Sequence, residues 1–288
     1  MRVATIGDNC LDVYMEQDRL TVGGNALNVA VNWSRSGLAA RYFGVVGHDD
    51  AASAIRTVVA RTGLDPSDIG TLPGATGVTL IRLVGNDRKF LHEEFGVGLD
   101  WIPGDDILDE LASYDWVHTA GVHSDADLTT RLIARGHRVS VDLSTYHDFD
   151  RLTGVEIAFA SWDGRLDSGA HDLAARMTDA GAGTAIVMCG AHGSLARSGT
   201  DTTTTKAHPI TPIDTCGAGD SFIASYVESH FRGNKVQISL VQATASATKT
   251  CTHLGGFEQA PQAVPDWVKT DYYPFVADTT APAQDAQL

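Results

Sequence analysis

Residues 214–220 read Asp214-Thr215-Cys216-Gly217-Ala218-Gly219-Asp220. Two glycines flank an alanine, so the backbone can turn tightly and bring its N–H groups close to a ligand. Residues 221–227, Ser-Phe-Ile-Ala-Ser-Tyr-Val, predict a helix with Phe222, Ile223 and Tyr226 on its apolar side. A glycine loop that opens a helix is an anion site, because free amides and the helix dipole both favour negative charge there. Yet the loop ends in Asp220, which would repel a bound phosphate. A carboxylate beside an anion hole makes chemical sense when it takes the proton of a hydroxyl attacking a phosphoryl group. An ordinary Gly-rich turn with a capping Asp is the plainer alternative.

Towards the N-terminus, residues 3–7 predict a short buried strand, followed by Asp8-Asn9-Cys10-Leu11-Asp12. Carboxylates just past the carboxyl end of a first parallel strand lie where open α/β sheets bind ligands. Capping of a turn by Asp8 or Asn9 is the competing explanation. A second glycine stretch, Gly23-Gly24-Asn25-Ala26-Leu27-Asn28-Val29-Ala30, leads into a helix expected to run to about Ser36 and to stop at Gly37. Residues 41–46 form the next expected strand, and Asp49 or Asp50 caps the helix after it.

Residues 76–83 and 88–94 alternate apolar and polar side chains around Gly85-Asn86-Asp87, a hairpin pattern that carries Arg82, Arg88, Lys89 and His92. Residues 12–22 hold a weaker strand-pair pattern. From residue 115 onward strands (115–119, 138–142, 155–160, 184–189) alternate with helices (127–134, 167–180). That rhythm implies a parallel sheet with helices on both faces. Gly190-Ala191-His192-Gly193 marks a tight turn, and residues 235–252 predict a helix that ends before Gly255-Gly256. From Gln259 the composition shifts to Pro, Ala, Thr and Asp, which predicts a flexible tail over 259–288. Trp267, Tyr272, Tyr273 and Phe275 within it are the residues that would pack locally.

The 288 residues carry a formal net charge of −15, with 43% apolar and 20% charged residues. This composition suits an ordinary globular protein and argues against nucleic acid or an anionic membrane as partner. No apolar run approaches the roughly 20 residues that span a bilayer. The four cysteines are scattered, and residues 1–7 lack the shape of a signal peptide. A cytoplasmic protein with reduced thiols is the expectation. There is no Gly-x-x-x-x-Gly-Lys-Ser/Thr, and no complete Gly-x-Gly-x-x-Gly follows the first strand, which disfavours P-loop and dinucleotide chemistry.

Asp-Thr-x-Gly-Ala-Gly-Asp at 214–220 and Gly-Gly-x-x-x-Asn-x-Ala at 23–30, in this order, resemble the two signatures of the PfkB (ribokinase-like) carbohydrate kinases. The resemblance implies a three-layer α/β/α sandwich with a central, mostly parallel sheet and a small β lid. It implies a kinase domain over 1–258, with lid strands near 12–22 and 76–95. Carried onto this chain, Asp220 would be the base, with the amides of Gly217, Ala218 and Gly219 around the transferring phosphoryl group. Asp8, Asp12, Gly23, Gly24 and Asn28 would meet sugar hydroxyls. Gly190, Gly193, Thr215 and Gly255 would border the ATP site. Mg²⁺ would accompany the ATP; some members add K⁺ near Asp214, and some pair lid strands across a homodimer.

Three departures from the family pattern stand out. Ser144 replaces the Asn of Asp-x-Asn-x-Arg after Asp142, and the Arg is absent. Ser161 and Gly164 replace the outer residues of Asn-x-x-Glu, which leaves the Mg²⁺ ligands unassigned, with Asp163 and Asp167 as candidate substitutes. Met188 stands where relatives often place Thr. Within the family, the blocks ATIGDNCLDVY, GGNALNVAV, AFAS and DTCGAGDSFIAS are similar to members that phosphorylate a fructosyl-amine such as fructoselysine at O6. A kinase for ribose, a ketohexose or adenosine stays open, as does a sugar-binding regulator with weakened catalysis.

Overall fold

Side chains of the first strand, β1 (Arg2–Gly7), point alternately to two faces of a sheet, as the period of two requires. Val3 enters one apolar cluster, whereas Ala4 and Ile6 enter another on the opposite face. A strand apolar on both faces belongs inside a parallel sheet. In the computed structural model, which describes residues 1–85, 87–121, 127–144, 149 and 152–277, β1 lies within a nine-stranded sheet.

The chain continues through β2 (Cys10–Tyr14), β3 (Arg19–Gly23), α1 (Asn25–Arg35), β4 (Ala39–Val46), α2 (Asp50–Val59) and β5 (Ile69–Thr71). Then come β6 (Thr76–Val84), β7 (Asp87–Gly96), α3 (Asp105–Glu110), β8 (Trp116–Ala120), α4 (Leu128–Ala134) and β9 (Val139–Asp142). The second half holds β10 (Ile157–Ser161), α5 (Ser168–Asp179), β11 (Thr184–Met188), β12 (Ser194–Ser198) and β13 (Asp201–Thr205). Three helices close it: α6 (Ala218–Phe231), α7 (Val236–Thr250) and α8 (Asp266–Ala277).

The large sheet has the order β13-β12-β11-β10-β9-β8-β1-β4-β5. Strands β11 through β5 pair in parallel, and β12 and β13 add an antiparallel hairpin at one edge. Strand β13 escaped the sequence reading because Asp-Thr-Thr-Thr-Thr has β-branched residues but no apolar alternation, as befits a solvated edge. On one face Trp116, Ile157, Phe159 and Ile186 pack against Trp33, Phe222, Tyr226 and Leu240 of α1, α6 and α7. On the other, α3, α4 and α5 cover the strands through Leu108, Leu132 and Met177. These are the three layers of the expected sandwich.

Strand order reverses around β1, whose neighbours are β4 and β8, so the carboxyl ends of β1 and β8 form the switch point where such sheets take ligands. Asp8 follows β1 there, and a Cβ on Gly121, just after β8, would strike the Asp8 side chain.

A second sheet, ordered β3-β2-β6-β7, stands off the first. One of its faces is apolar: Leu11, Val13, Leu20, Val22, Val78 and Leu80 join a core cluster with α1 and α2. The same cluster contains Val264, Val268 and Tyr272.

The expectation of a free tail from residue 259 is therefore corrected as far as residue 277. The Gln259 side chain accepts from the Val22 N–H at 2.9 Å and donates to the Val22 carbonyl at 2.8 Å. Leu20 and Gln262 exchange both backbone hydrogen bonds at 2.9 Å. Lys269 pairs with Asp18 at 2.8 Å. Val268 and Tyr272 lie four residues apart on α8, with Val264 just before it, and so short an apolar stripe is diluted when composition is averaged across the whole terminal stretch. Residues 278–288 and the hairpin residue Asn86 lie outside the described residues. Among the described residues no helix is long and apolar enough to cross a membrane, and all four cysteines are free thiols.

Candidate active site

The site grows from the N-termini of two buried helices, α6 and α1. Gly217 precedes α6 with φ 70°, and a Cβ there would land on the Gly256 backbone, so only glycine fits. The Ala218 N–H donates back to the Thr215 carbonyl at 3.3 Å, while the amides of Gly217, Gly219 and Asp220 donate to no partner among the described residues. Free amides at the head of a 14-residue helix suit an anion. Beside them Asp220 accepts a 2.7 Å hydrogen bond at Oδ2 from Asn28 Nδ2, which ties α6 to α1. Burial pushes the Asp220 carboxyl well above its usual range; Asp142 and Asp8 add to this, and the Asn28 hydrogen bond and the Arg88 charge oppose it.

Helix α1 begins against Asp8, whose two oxygens accept from the Asn25 and Ala26 amides at 2.9 and 3.0 Å. A carboxylate at this position neutralises orphan donors and the positive end of the dipole. The paired glycines allow the close packing: a Cβ on Gly24 (φ 113°) would strike Asn9, and one on Gly23 would strike the Asp12 carboxylate. Asn25 Nδ2 donates to Asp142 Oδ2 at 2.5 Å. The other Asp142 oxygen accepts from Ser144 N at 2.9 Å and Ser144 Oγ at 2.6 Å, and Ser161 Oγ donates to Ser144 Oγ at 2.9 Å. The two serines that depart from the family pattern thus form a hydrogen-bonded chain from the end of β10 to the start of α1.

The small sheet closes the site from above. Asp12 on β2 meets the thiols of Cys10 (3.3 Å) and Cys216 (3.7 Å), and burial pushes its carboxyl up to about 7. Asp214 accepts from Tyr14 Oη at 2.6 Å and from the Cys216 and Gly255 amides at 2.9 Å each. Thr215 Oγ1 accepts from Arg88 Nη1 of β7 at 2.8 Å, and the same guanidinium lies 5.0 Å above the Phe90 ring. Two strands of the small sheet therefore reach the 214–220 loop directly.

On the far side, Met188 at the end of β11 lies against Gly219. Gly190 and Gly193 shape the next turn, where the His192 and Gly193 amides bond to Cys189 and Gly190 carbonyls at 2.9 and 3.1 Å. A Cβ on Gly193 would strike the Thr205 carbonyl, whereas Gly190 faces open space. Gly255 (φ 78°) passes close to Thr21.

The fold thus gathers Asp8, Asp12, Gly23, Gly24, Asn28, Thr215, Gly255 and the 217–220 loop around the heads of α1 and α6. Gly190 and Gly193 sit one turn away, behind Met188. As metal ligands, Asp163 and Asp167 are not assembled: Asp163 is exposed, and Asp167 caps α5 by accepting from the Gly169 amide at 3.0 Å. Among the described residues no three His, Cys, Asp or Glu side chains converge to hold a metal ion. Sequence reasoning passed over Tyr14 and Asn25 and left Arg88 unassigned. Tyr14 was within reach, since it lies two residues beyond Asp12 on a strand and hence on the same face.

The model of the pfkB family of carbohydrate kinases matches residues 3–135 and 144–263. The chain is 36% identical over 262 residues to fructoselysine 6-kinase of Escherichia coli (strain K12), spanning 88% of this chain and 99% of that one. It is 30% identical over 267 residues to a fructosamine kinase of Bacillus subtilis (strain 168), spanning 89% and 93%. The structure of Arabidopsis thaliana ribokinase complexed with ribose and ATP superposes with a TM-score of 0.75 at 16% identity, covering 88% of this chain and 93% of that one.

Proposed function

The chain belongs to the pfkB family of carbohydrate kinases, and from that premise we propose that it phosphorylates a fructosyl-amine such as fructoselysine, at O6, with ATP. The observation that carries the kinase chemistry is the Asp220 carboxylate, held by Asn28 beside unsatisfied amides at the head of α6. The substrate class rests on the 36% and 30% identity to kinases of fructoselysine and fructosamine over nearly the whole chain.

In this reading the acceptor hydroxyl lies between Asn28 and Asp220. Asp220 takes its proton as the oxygen attacks, and its raised proton affinity suits a base that is neutralised during the step. The Gly217 and Gly219 amides face the phosphoryl oxygens, where charge develops and where fixed donors lower the barrier most. Asn25, Asp142, Ser144 and Ser161 act one layer out, orienting the head of α1. The free amides at α6 fit a nucleotide phosphate, and Mg²⁺, when bound, would neutralise phosphate charge with phosphate oxygens and water as its main ligands. The small sheet, with Arg88 and Asp12 against the loop, excludes water and so favours transfer over hydrolysis.

ADP release with Mg·ATP across fructosyl-lysine, other fructosyl-amino acids, fructose, ribose and adenosine tests this. A kcat/KM highest for the fructosyl-amines is expected. Higher turnover of a plain sugar or nucleoside would refute the substrate class, and sugar binding without ADP release would refute the kinase and favour a regulator.

A further inference from the structure

We infer that Glu93, on the inner face of the small sheet, anchors the cationic amine of the substrate. The inference rests on the fructosyl-amine reading above and places the charged end of that substrate. Strand register supplies the first observation. Thr21 pairs with Asp12, Asp12 with Thr79, and Thr79 with Glu93, so the four side chains form one row across β3, β2, β6 and β7. Directly paired residues project to the same face. Asp12 shows which face that is, since its carboxylate meets Cys216 of the catalytic loop. The neighbouring residues Leu11, Val13, Leu20, Val22, Val78 and Leu80 point the other way, into the core, and Glu94 likewise turns outward to take the Tyr272 hydroxyl at 2.6 Å.

Charge supplies the second observation. Glu93 is half-buried, yet it forms no ion pair among the described residues. Burial and the nearby Asp8 raise its carboxyl above the usual range, while the Arg88 charge opposes this. Arg88 itself reaches Thr215 of the loop. A half-buried carboxylate without a cation costs stability, and a bound cation removes that cost. Within the row Thr21 and Thr79 offer hydroxyls and the Asp12 carboxylate already meets the thiols of Cys10 and Cys216, so Glu93 is the carboxylate of the row placed farthest from the loop and left for a cation to meet.

Spacing supplies the third. Two strand intervals of about 4.8 Å separate Asp12 from Glu93, roughly 10 Å across the sheet. With one end of a hexose chain at the loop that Asp12 touches, the other end is carried along this row towards β7. In a fructosyl-amine the protonated nitrogen sits on C1, at the end of the chain opposite O6. Glu93 would meet that ammonium group.

The test compares wild type with Glu93→Gln on fructosyl-lysine and on fructose. Loss of a charge-assisted contact predicts a KM for fructosyl-lysine raised about 10-fold or more in the variant, with kcat and the KM for fructose within about twofold. An equal loss on both substrates, or no loss on either, overturns the assignment. A variant-independent arm measures wild type on fructosyl-lysine whose linking nitrogen is acylated and therefore neutral. A preference of about 10-fold or more for the cationic form is expected, and equal use of both forms overturns it. If wild type turns over fructose but not fructosyl-lysine, the substrate class itself has failed. If it prefers fructosyl-lysine and Glu93→Gln keeps that preference, only the placement of the amine has failed.

Discussion

Asp220 is a carboxylate in a place that resists its ionisation. Burial and the neighbouring Asp142 and Asp8 raise its proton affinity, while the Asn28 hydrogen bond and Arg88 favour the charged form. That balance suits a base that must accept a proton and lose its charge during the step. Replacement by Asn keeps the shape and removes the basicity. Asp220→Asn should lower kcat by about 10²-fold or more with ATP affinity nearly unchanged, read by steady-state kinetics and nucleotide titration. A near-wild-type rate would remove Asp220 from the mechanism. Gly217 tests the loop backbone instead. Its φ of 70° and its contact with Gly256 leave no room for a methyl group. Gly217→Ala should cost about 1–3 kcal/mol in urea unfolding and depress ADP release as the amides lose their aim.

At the scale of elements, α8 is the part whose role most exceeds its sequence signal. It packs Val268 and Tyr272 beneath the small sheet, with Val264 just before it, and residues 259–262 satisfy the outward-facing backbone groups of β3 at Leu20 and Val22. An exposed strand edge is a site for unwanted pairing, and here residues 259–262 cover it. Helix and sheet are further joined by Tyr272 to Glu94, and by His92 stacked on Phe275 at 3.9 Å between ring centres. The inner face of the sheet touches the 214–220 loop, so α8 supports the candidate site from behind. Val268→Ala should lose about 1–3 kcal/mol of stability by denaturant titration. The same variant should raise the sugar KM more than the ATP KM; equal effects would argue against support of the sugar side.

For the whole molecule, two carboxylates set opposite pH trends. Burial raises Asp12 to about 7 from an unfolded value near 3.8. The folded chain therefore holds that proton more tightly, and the destabilisation from ionising Asp12 accumulates as pH rises from about 4 to about 7. Asp12→Asn should raise the unfolding temperature more at pH 8 than at pH 5, measured by calorimetry. An increase independent of pH would deny the shift. Burial would also raise Glu156, but hydrogen bonds from Arg138 (2.7 Å at Oε2) and His230 (2.9 Å at Oε1) outweigh it and hold the carboxyl at about 2. Its contribution is complete above about 4.5 and is lost as pH falls towards 2. Glu156 joins Arg138, just before β9, to His230 near the end of α6. The stability gap between wild type and Glu156→Gln should therefore shrink across that acid window.

The alternation of parallel strands and helices that builds the large sheet, the loop at 214–220 and the glycine pair at 23–24 were legible in the chain itself. Backbone geometry enforces them locally: only glycine tolerates φ of 70° and 113° at Gly217 and Gly24, and a strand buried on both faces must be apolar throughout. Which side chains meet across the cleft was not legible. Asn28 and Asp220 stand 192 positions apart and Tyr14 and Asp214 200 apart, and no local rule links residues so distant. The sheet order decides those meetings by bringing β1, β8 and the heads of α1 and α6 to one switch point. The terminal helix and the inner row of the small sheet belong to the same category. Their apolar and charged residues acquire meaning only once register and packing settle which face is core and which is site.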